Sequence, residues 1–334
     1  MASSTSPSNP AVPWLAVRLL GVALAAWVVG AIYTLRVNPE IAFFRRGHAV
    51  KQSWAKTLEP QPPPKIVVFG GSSCATSVDG ERLLREHGLP VLNLGLGAGM
   101  GAKVLTRYAL PALRPGDTLI MAMESDLMTG PLTIPTLGVQ FSLATGQWNL
   151  LRDPDRVDWS TSLLSLRPGG YHGFTLLGKI LFRQPLYRYS PDEFHASGWH
   201  EVVVKRPIPD PVASASRLSE DMKAWLIFIR DFCAQRGVRV AYTLPWGYCP
   251  PEKLAAYHRD NARFLQQVAE FLPVLKEPSL GAHSVREHYA DTSLHLTATG
   301  AALRTDELAR QIKAWSTWSP AELAQRIASE PAAP

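Results

Sequence analysis

The chain has 334 residues, of which 46% are hydrophobic and 19% are charged. This composition excludes a disordered chain, a collagen-like repeat and a disulfide-dense mini-protein, and the length suits one large α/β domain with insertions. The formal net charge of +6 comes from basic residues that are spread along the chain without a run or a recognisable binding motif, so nucleic acid is not an expected partner.

The amino-terminal part of the chain changes character after its first residues. Residues 1–13 are mainly Ser, Pro, Ala and Asn and predict a floppy leader, whereas residues 14–36 are apolar, with no charge from Leu19 to Leu35. About 22 apolar residues in a helix extend about 33 Å, enough to cross a hydrocarbon core of about 30 Å. We therefore expect one transmembrane anchor, with the lipid bilayer as a partner. A cleaved signal peptide is the alternative.

The charges that flank the apolar segment indicate on which side of the membrane the large domain lies. Only Arg18 precedes the uncharged run, whereas four basic residues follow it: Arg36, Arg45, Arg46 and Lys51. The positive-inside rule taken alone would leave the large domain in the cytoplasm.

Residues 37–64 join the apolar segment to the rest of the chain. An amphipathic helix on the membrane surface is predicted over residues 45–57, because Ala49, Trp54 and Leu58 recur near helical spacing beside basic side chains. Residues 59–64 contain four prolines and predict a stiff spacer.

Residues 65–318 alternate between short apolar runs and helical patterns, which predicts a mostly parallel sheet covered by helices on both faces. The predicted strands are Lys65–Phe69, Val91–Leu94, Asp117–Met123 and Val238–Leu244. The predicted helices are Asp79–Glu86, Gly101–Ala112, Arg217–Arg236, Pro251–Phe271 and Ala298–Ser316. In sheets of this kind, functional sites lie beyond the carboxyl ends of the strands.

Residues 127–215 interrupt this alternation with Gly and Pro and with a mixture of aromatic and polar side chains. We expect an insertion over one end of the sheet. One interpretation is that the insertion forms a lid or a platform for substrate. The other is that it has a structural role only. Residues 319–334 are expected to form a tail outside the domain.

The three cysteines are Cys74, Cys233 and Cys249. Because they are odd in number and have no CxxC or Cys/His spacing, neither a disulfide framework nor a structural zinc site is expected, and no metal site is predicted. We interpret Cys74 as a small buried side chain, since nothing nearby in the sequence would lower the pKa of its thiol.

The first strand is followed directly by the turn Gly70-Gly71-Ser72-Ser73. Two glycines allow a sharp turn and leave a hydroxyl at the start of a helix, where free N–H groups can stabilise an oxyanion. The pattern is neither GxSxG nor a P-loop, since no GK[ST] follows.

A glycine-rich loop, residues 93–101, follows the second strand and would lie beside this turn. Its GxGxG pattern is not a dinucleotide fingerprint, because it does not follow the first strand and is not supported by an acidic residue after the second. No cofactor is expected. Near the carboxyl end, Asp291 and His295 lie in a loop before the last helix, where the histidine can act as a base with its own orienting carboxylate.

At these residues the chain resembles the SGNH (GDSL-type) hydrolase family, including its membrane-anchored envelope branch, which acts in O-acylation or deacylation of cell-surface glycans. The family's first motif is strand-Gly-Asp-Ser, and IVVFGGS matches it with Gly71 in place of Asp. The resemblance implies Ser72 as the nucleophile, with Ser73 as the fallback. The last motif is Asp-x-x-His, which carries over to His295 and, with one extra residue of spacing, to Asp291.

The second and third motifs of the family supply the oxyanion donors. The second gives a backbone amide from a glycine-rich loop after an Asn, which corresponds to Asn93 and the residues that follow it. The third, Gly-x-Asn-Asp, is replaced here by MESD at residues 123–126. Ser125 would then donate through its hydroxyl, while Glu124 and Asp126 would bind substrate hydroxyls or cap the next loop. The expected oxyanion and substrate-binding group is Gly71, Ser73, Asn93, Gly97, Ala98, Gly99 and Ser125.

The resemblance implies a flavodoxin-like three-layer αβα sandwich with a central parallel sheet. It also implies a serine esterase or O-acyltransferase that acts on acyl esters of envelope glycans, with a membrane acyltransferase as a partner and the domain on the periplasmic side. The alternative is a non-catalytic accessory protein of a surface-polysaccharide system, which keeps the fold to bind glycan or a membrane protein. The altered third motif favours that alternative.

Overall fold

The computed structural model describes residues 11–59, 64–153, 157, 159–166, 170–184, 186–203 and 217–316. Within them the protein is an α/β domain with a central parallel sheet and one apolar amino-terminal helix. The helices are α1 (Ala11–Ile32), α2 (Pro39–Leu58), α3 (Ser72–Ser77), α4 (Gly80–His87), α5 (Ala102–Ala109), α6 (Thr136–Thr145), α7 (Trp159–Ser165), α8 (Gly170–Leu181), α9 (Glu220–Gln235), α10 (Leu254–Ala269) and α11 (Ala298–Ser316). The strands are β1 (Ile66–Phe69), β2 (Val91–Asn93), β3 (Thr118–Met121), β4 (Arg239–Tyr242), β5 (Gly247–Tyr248) and β6 (Ala282–His283).

The four predicted strands are confirmed as the central sheet, in the order β2-β1-β3-β4, and all neighbouring pairs are parallel. In the register, Ile66 lies beside Val91 on one side and Thr118 on the other. Because parallel strands all end on the same side of the sheet, the loops after β1, β2 and β3 lie together at its carboxyl edge. The strands β5 and β6 form a separate small parallel pair.

Helices cover both faces of this sheet. Along β1, Val67 and Phe69 pack into a large core that includes side chains of α2, α5, α6, α9 and α10. The alternate residues Ile66 and Val68 pack on the other face, with side chains of α3, α4 and α11. Burial on both faces explains why the strands read as continuous apolar runs rather than as alternating patterns.

The apolar segment forms α1 and a π-helical continuation, Tyr33–Val37. The stretch Pro13–Val37 is long and apolar enough to span a membrane, with a mean hydropathy of 2.2. Its side chains are largely exposed in the isolated chain, as expected for a helix whose surroundings are lipid.

The structure differs from the expectation for residues 37–64. The helix α2 starts earlier than predicted, with the Asn38 side chain accepting from the amide of Glu40, and its apolar face packs into the domain rather than onto a membrane surface. Trp54 is buried there and donates from Nε1 to the Val91 carbonyl. An amphipathic pattern predicts an apolar contact but not whether protein or lipid provides it, and here the core of the α/β domain does. The domain therefore begins at Pro39.

Other segment predictions fall partly outside the described residues. Residues 1–10 of the leader, 60–63 of the proline-rich spacer, 204–216 of the insertion and 317–334 at the carboxyl end are in this group. Within the predicted insertion, α6 is part of the core, because Val139 and Phe141 are fully buried.

Candidate functional site

An open cavity of about 270 Å³ lies at the carboxyl edge of the sheet. Five of the predicted site residues border it: Ser72, Gly97, Ala98, Gly99 and His295. These residues come from the loops after β1 and β2 and from the loop before α11, which are far apart in the chain. Three segments that were selected from the sequence, namely the two-glycine turn, the glycine-rich loop and the loop before α11, therefore meet at this cavity.

Ser72 is the first residue of α3, directly after the two-glycine turn. Glycine is needed at position 70 because a Cβ there would overlap the carbonyl of Ala122 on the neighbouring strand connection. The turn leaves Ser72 half-buried at the cavity, whereas Ser73 is only 1% exposed and is not among the residues that border the cavity. The geometry favours Ser72 over the fallback.

His295 and Asp291 form a buried pair, with 2.8 Å between His295 Nδ1 and Asp291 Oδ1. The loop is braced locally, because Thr292 Oγ1 accepts from the amide of His295 and the His295 carbonyl accepts from the amide of Ala290. The aspartate thus holds one imidazole nitrogen, which orients a ring that borders the cavity. Direct contact between these two side chains was predicted from the sequence, and the structure contains it.

The insertion supplies a second partner for this carboxylate. Tyr189 donates from its hydroxyl to Asp291 Oδ2 at 2.7 Å, and Arg188 Nη1 lies 3.6 Å from the same oxygen. Burial alone would raise the pKa of Asp291, but the bond with His295, the Tyr189 hydroxyl and the Arg188 charge together hold it below its ordinary value. Asp291 is therefore an anion at neutral pH.

Among the described residues, no direct hydrogen bond joins Ser72 to His295, although both border the same cavity. Nucleophile and base are often farther apart without substrate than in the reacting complex. A ligand in this cavity would therefore meet a serine hydroxyl and an imidazole that is held by a carboxylate.

The glycine-rich loop lies directly over α3. Leu96 donates its amide to the Gly70 carbonyl at 3.1 Å, which ties this loop to the two-glycine turn. A Cβ at Gly97 would lie 2.8 Å from the ring of Phe44, so a larger residue here would require that ring to move. Residues Ala98–Met100 form one 3₁₀ turn, and the first amides of such a turn have no acceptor within it. Two residues of this turn, Ala98 and Gly99, border the cavity.

Asn93 does not have the predicted role. It is fully buried, its Nδ2 donates to the carbonyls of Cys74 and Val78, and its Oδ1 accepts from the amide of Gly95. Every polar atom of the side chain is thus used within the scaffold. Asn93 joins the end of β2 to α3 and holds the glycine-rich loop, and it does not border the cavity in the described structure.

The predicted donor Ser125 is also in a different place. Together with Glu124 and Asp126 it borders a separate small pocket, whose other walls include Tyr257 and Leu294. It is not among the residues that border the cavity of Ser72. The chain turns into a short 3₁₀ segment immediately after β3 and Glu124, which carries Ser125 away from the cavity.

Glu124 has a role that the sequence did not reveal. This buried carboxylate accepts from the amide of Gly71 at 2.9 Å through Oε2 and from the amide of Ser73 at 2.8 Å through Oε1. Burial raises its pKa, while the bond from Ser73 opposes the shift. Gly71 and Ser73 were expected as oxyanion or substrate-binding residues, and the amides of both are instead occupied by Glu124. Among the described residues that border the Ser72 cavity, Glu124 is not included.

The remaining cavity wall is largely aromatic. Its side chains come from α2 and from the predicted insertion: Phe43, Phe44, Tyr187, Tyr189 and Phe194. His200 also borders the cavity, and its pKa is lowered to about 3, mainly by burial. His200 is therefore neutral, with 2.9 Å between its Nε2 and Glu193 Oε2. An apolar wall beside one oriented base suits a ligand with a hydrocarbon part.

Two further expectations concern cysteines and metals. Cys74 is buried, as expected, and burial raises the pKa of its thiol to about 12, so it is not a thiolate. A cluster with potential ligand atoms within 4.8 Å of one another exists at Glu86, His87 and Asp306, away from the cavity. Arg82 donates to both oxygens of Asp306, so a cation already neutralises that carboxylate.

Sequence analysis included Tyr189 only among the aromatic residues of the insertion, and it missed Arg188 and the α2 phenylalanines, because no local pattern linked any of them to the motifs. Comparison of the chain with protein-family models, with curated proteins and with solved structures returns no match.

Proposed function

We propose that this chain is a membrane-anchored serine esterase or O-acyltransferase that acts on acyl esters of cell-envelope glycans. The proposal depends on one observation: Ser72 and His295 border the same cavity, and Asp291 holds the imidazole of His295. These are the residues that the resemblance to SGNH hydrolases selects, and they converge from positions more than 200 residues apart in the chain.

The fold supports the same family. The order β2-β1-β3-β4 agrees with a flavodoxin-like arrangement, and a parallel bridge from Tyr242 to Val274 adds a short fifth position beyond β4. Helices on both faces agree with a three-layer αβα sandwich.

In the proposed reaction, Ser72 Oγ attacks the ester carbonyl while His295 Nε2 takes its proton. The carbonyl oxygen becomes an oxyanion, for which the amides of Ala98 and Gly99, two residues that border the cavity, are the proposed donors. The leaving alcohol departs with the proton from His295, and the acyl group remains on Ser72. Water, for hydrolysis, or a glycan hydroxyl, for transfer, then attacks this acyl-serine by the same proton exchange. Asp291 orients and stabilises the imidazolium.

The position of the cavity relative to α1 supports a membrane-associated acyl substrate. Glu40, Phe43 and Phe44 border the cavity, and Glu40 is three residues beyond Val37, the end of the apolar stretch. Asn38, with ψ 121°, interrupts the helix between them, and three residues reach at most about 11 Å even when extended, so the cavity wall begins within about 11 Å of the end of the apolar stretch. An acyl donor in the bilayer, or a membrane acyltransferase as partner, would be adjacent to it.

We place the domain on the periplasmic side. This placement follows the resemblance to the envelope branch of the SGNH hydrolases and goes against the positive-inside rule. Lys51 does not count as a membrane-flanking charge, because it is fully buried and donates to the Asn93 and Gly198 carbonyls, but Arg36, Arg45 and Arg46 still outnumber Arg18. With the domain on the periplasmic side, a carboxyl-terminal alkaline phosphatase fusion should be active in cells. An inactive fusion would reverse the assignment, and release of the intact protein by alkaline carbonate would refute the anchor.

The competing candidate is a non-catalytic accessory protein with the same fold. Glu124 favours it, because a carboxylate that occupies the amides of Gly71 and Ser73 removes two donors from the neighbourhood of Ser72. Loss of one donor from a working oxyanion hole costs about 3 to 4 kcal/mol.

Turnover of p-nitrophenyl acetate by the full-length protein separates the two candidates. The enzyme proposal predicts turnover that is lost in Ser72→Ala and retained in Ser73→Ala, the matched control one residue away. Equal rates in wild type and Ser72→Ala, with both proteins folded, would favour the accessory protein.

A further inference from the structure

A second apolar surface lies outside the cavity, on the helices α7 and α8 of the predicted insertion. On α8, Leu177, Ile180 and Leu181 recur at helical spacing, and with the adjacent Phe182 they are 55 to 77% exposed. On α7, Leu163 and Leu164 are exposed as well. A helix normally turns such a stripe towards a core, so an exposed stripe indicates a partner that the isolated chain lacks.

The transmembrane candidate α1 contacts this same region. Trp27 Nε1 donates to the carbonyl of Leu163 at 2.8 Å, and Thr34 Oγ1 donates to the carbonyl of Leu166 at 2.7 Å. Trp27 lies ten residues before Val37, which is about 15 Å along the helix axis. If α1 spans the bilayer, the end of α7 lies at the depth of the hydrocarbon.

The carboxyl end of α7 is built for an environment without water. The last carbonyls of a helix have no partner within it, and in hydrocarbon each unsatisfied one is costly. Besides the bonds from Trp27 and Thr34, the Ser162 carbonyl accepts from Ser165 Oγ, and the Ser165 carbonyl accepts from Gln140 Nε2. Protein side chains thus satisfy four carbonyls at this end.

The charge pattern of the segment fits the same environment. No Asp or Glu occurs from residue 159 to residue 191, whereas four basic residues do: Arg167, Lys179, Arg183 and Arg188. Apolar stripes accompanied only by basic side chains are typical of helices that lie in a membrane with anionic lipids.

We propose that α7 and α8 enter the lipid bilayer beside α1 and form a second membrane contact of this protein. This inference rests on the proposed anchoring by α1, but not on the proposed chemistry at Ser72. It commits to lipid as the occupant of the stripe, because the end of α7 is hydrogen-bonded to a helix that is itself apolar over the length of a bilayer, and because the segment carries basic but no acidic side chains.

The test places a polarity-sensitive fluorophore on single introduced cysteines of the full-length chain, in vesicles of phosphatidylcholine and phosphatidylglycerol. The native cysteines are buried and remain unlabelled in the folded protein. Leu181→Cys reports on α8, Leu24→Cys on α1, and Leu303→Cys is a matched control at an exposed leucine of α11. Quenching is measured with a nitroxide attached to the lipid acyl chains.

We expect the probes at positions 181 and 24 to lose most of their emission to the quencher, and the probe at 303 to keep it. A quenched probe at 24 with unquenched probes at 181 and 303 would overturn the inference while the anchor stands, and would mean that something other than lipid covers the stripe. An unquenched probe at 24 would overturn both the inference and the anchor. Equal quenching at 181 and 303 would also contradict a specific contact.

Discussion

The carboxylate of Glu124 occupies the space that a side chain at position 71 would fill. It accepts from the Gly71 amide, and a Cβ added to Gly71 would overlap both carboxylate oxygens. The motif that this turn resembles has an aspartate at position 71, whereas here a glycine at that position accommodates a carboxylate from the segment after β3. The turn that presents Ser72 therefore depends on a residue 53 positions away.

Substitution of Gly71 should destabilise the domain. Gly71→Ala forces the buried Glu124 side chain away from two backbone amides, and we expect a loss of about 1 to 3 kcal/mol in the free energy of unfolding. Gly130→Ala is the matched control, since a Cβ there meets nothing within 4 Å. Thermal unfolding measures both. Equal midpoints for the two variants would contradict the account of the turn.

Removal of the Tyr189 hydroxyl should slow the reaction of Ser72. Tyr189→Phe deletes the 2.7 Å bond to Asp291, which costs about 1 kcal/mol and corresponds to a roughly fivefold lower rate of serine labelling. Tyr187→Phe is the control, because its hydroxyl makes only a 3.5 Å contact with Glu40 at the same cavity. A similar reduction in both variants would assign the effect to the cavity wall rather than to the carboxylate.

Asp291 should contribute to stability in a pH-dependent way. Its pKa in the folded protein lies below the ordinary value of 3.8, so the folded state binds this proton less readily than the unfolded state does. The contribution is complete above the ordinary value and is lost as pH falls through the lower, folded value. Wild type should lose unfolding free energy more steeply in acid than Asp291→Asn, as measured by denaturant unfolding at several pH values. Parallel curves would be evidence against the lowered pKa.

Lys51 should also make stability depend on pH, but at neutral to alkaline pH rather than in acid. Burial lowers its pKa from 10.5 to about 7, so between these values the unfolded chain binds more protons than the folded one. Stability should then rise with pH across that window, by at most about 1.4 kcal/mol per pH unit. The Lys51→Met variant, which keeps an unbranched side chain without the amine, should lack the rise. If wild type and variant respond identically to pH, the amine is charged in the fold and held so by the two carbonyls it bonds.

The parts of the molecule that could be predicted from sequence are those encoded over short distances. KIVVF predicts a buried strand on its own, and Asp291 and His295 are four residues apart, so a loop alone can bring them together. The role of Glu124 could not be predicted, because a carboxylate is read as exposed until the amides it meets across the sheet are known. Tyr189 reaches Asp291 over 102 positions, and nothing local marks it.

The placement of α2 and the role of Asn93 are errors of a different kind. An apolar helical face next to a membrane span fits lipid and protein equally well, and only the packing of Trp54 into the domain decides between them. Asn93 was assigned by its position in a motif, whereas its side chain is consumed by the scaffold that shapes the loop.

The central claim is that Ser72 is a nucleophile activated by His295, and covalent labelling with a serine-directed fluorophosphonate tests it most directly. Mass mapping of the adduct on the full-length protein should find one labelled residue, Ser72. Labelling should nearly vanish in His295→Ala, fall less in Asp291→Asn, and persist in Ser73→Ala. A label on Ser73 would shift the site by one residue. A folded wild-type protein that takes up no label at Ser72 would contradict the enzyme proposal and favour the accessory protein.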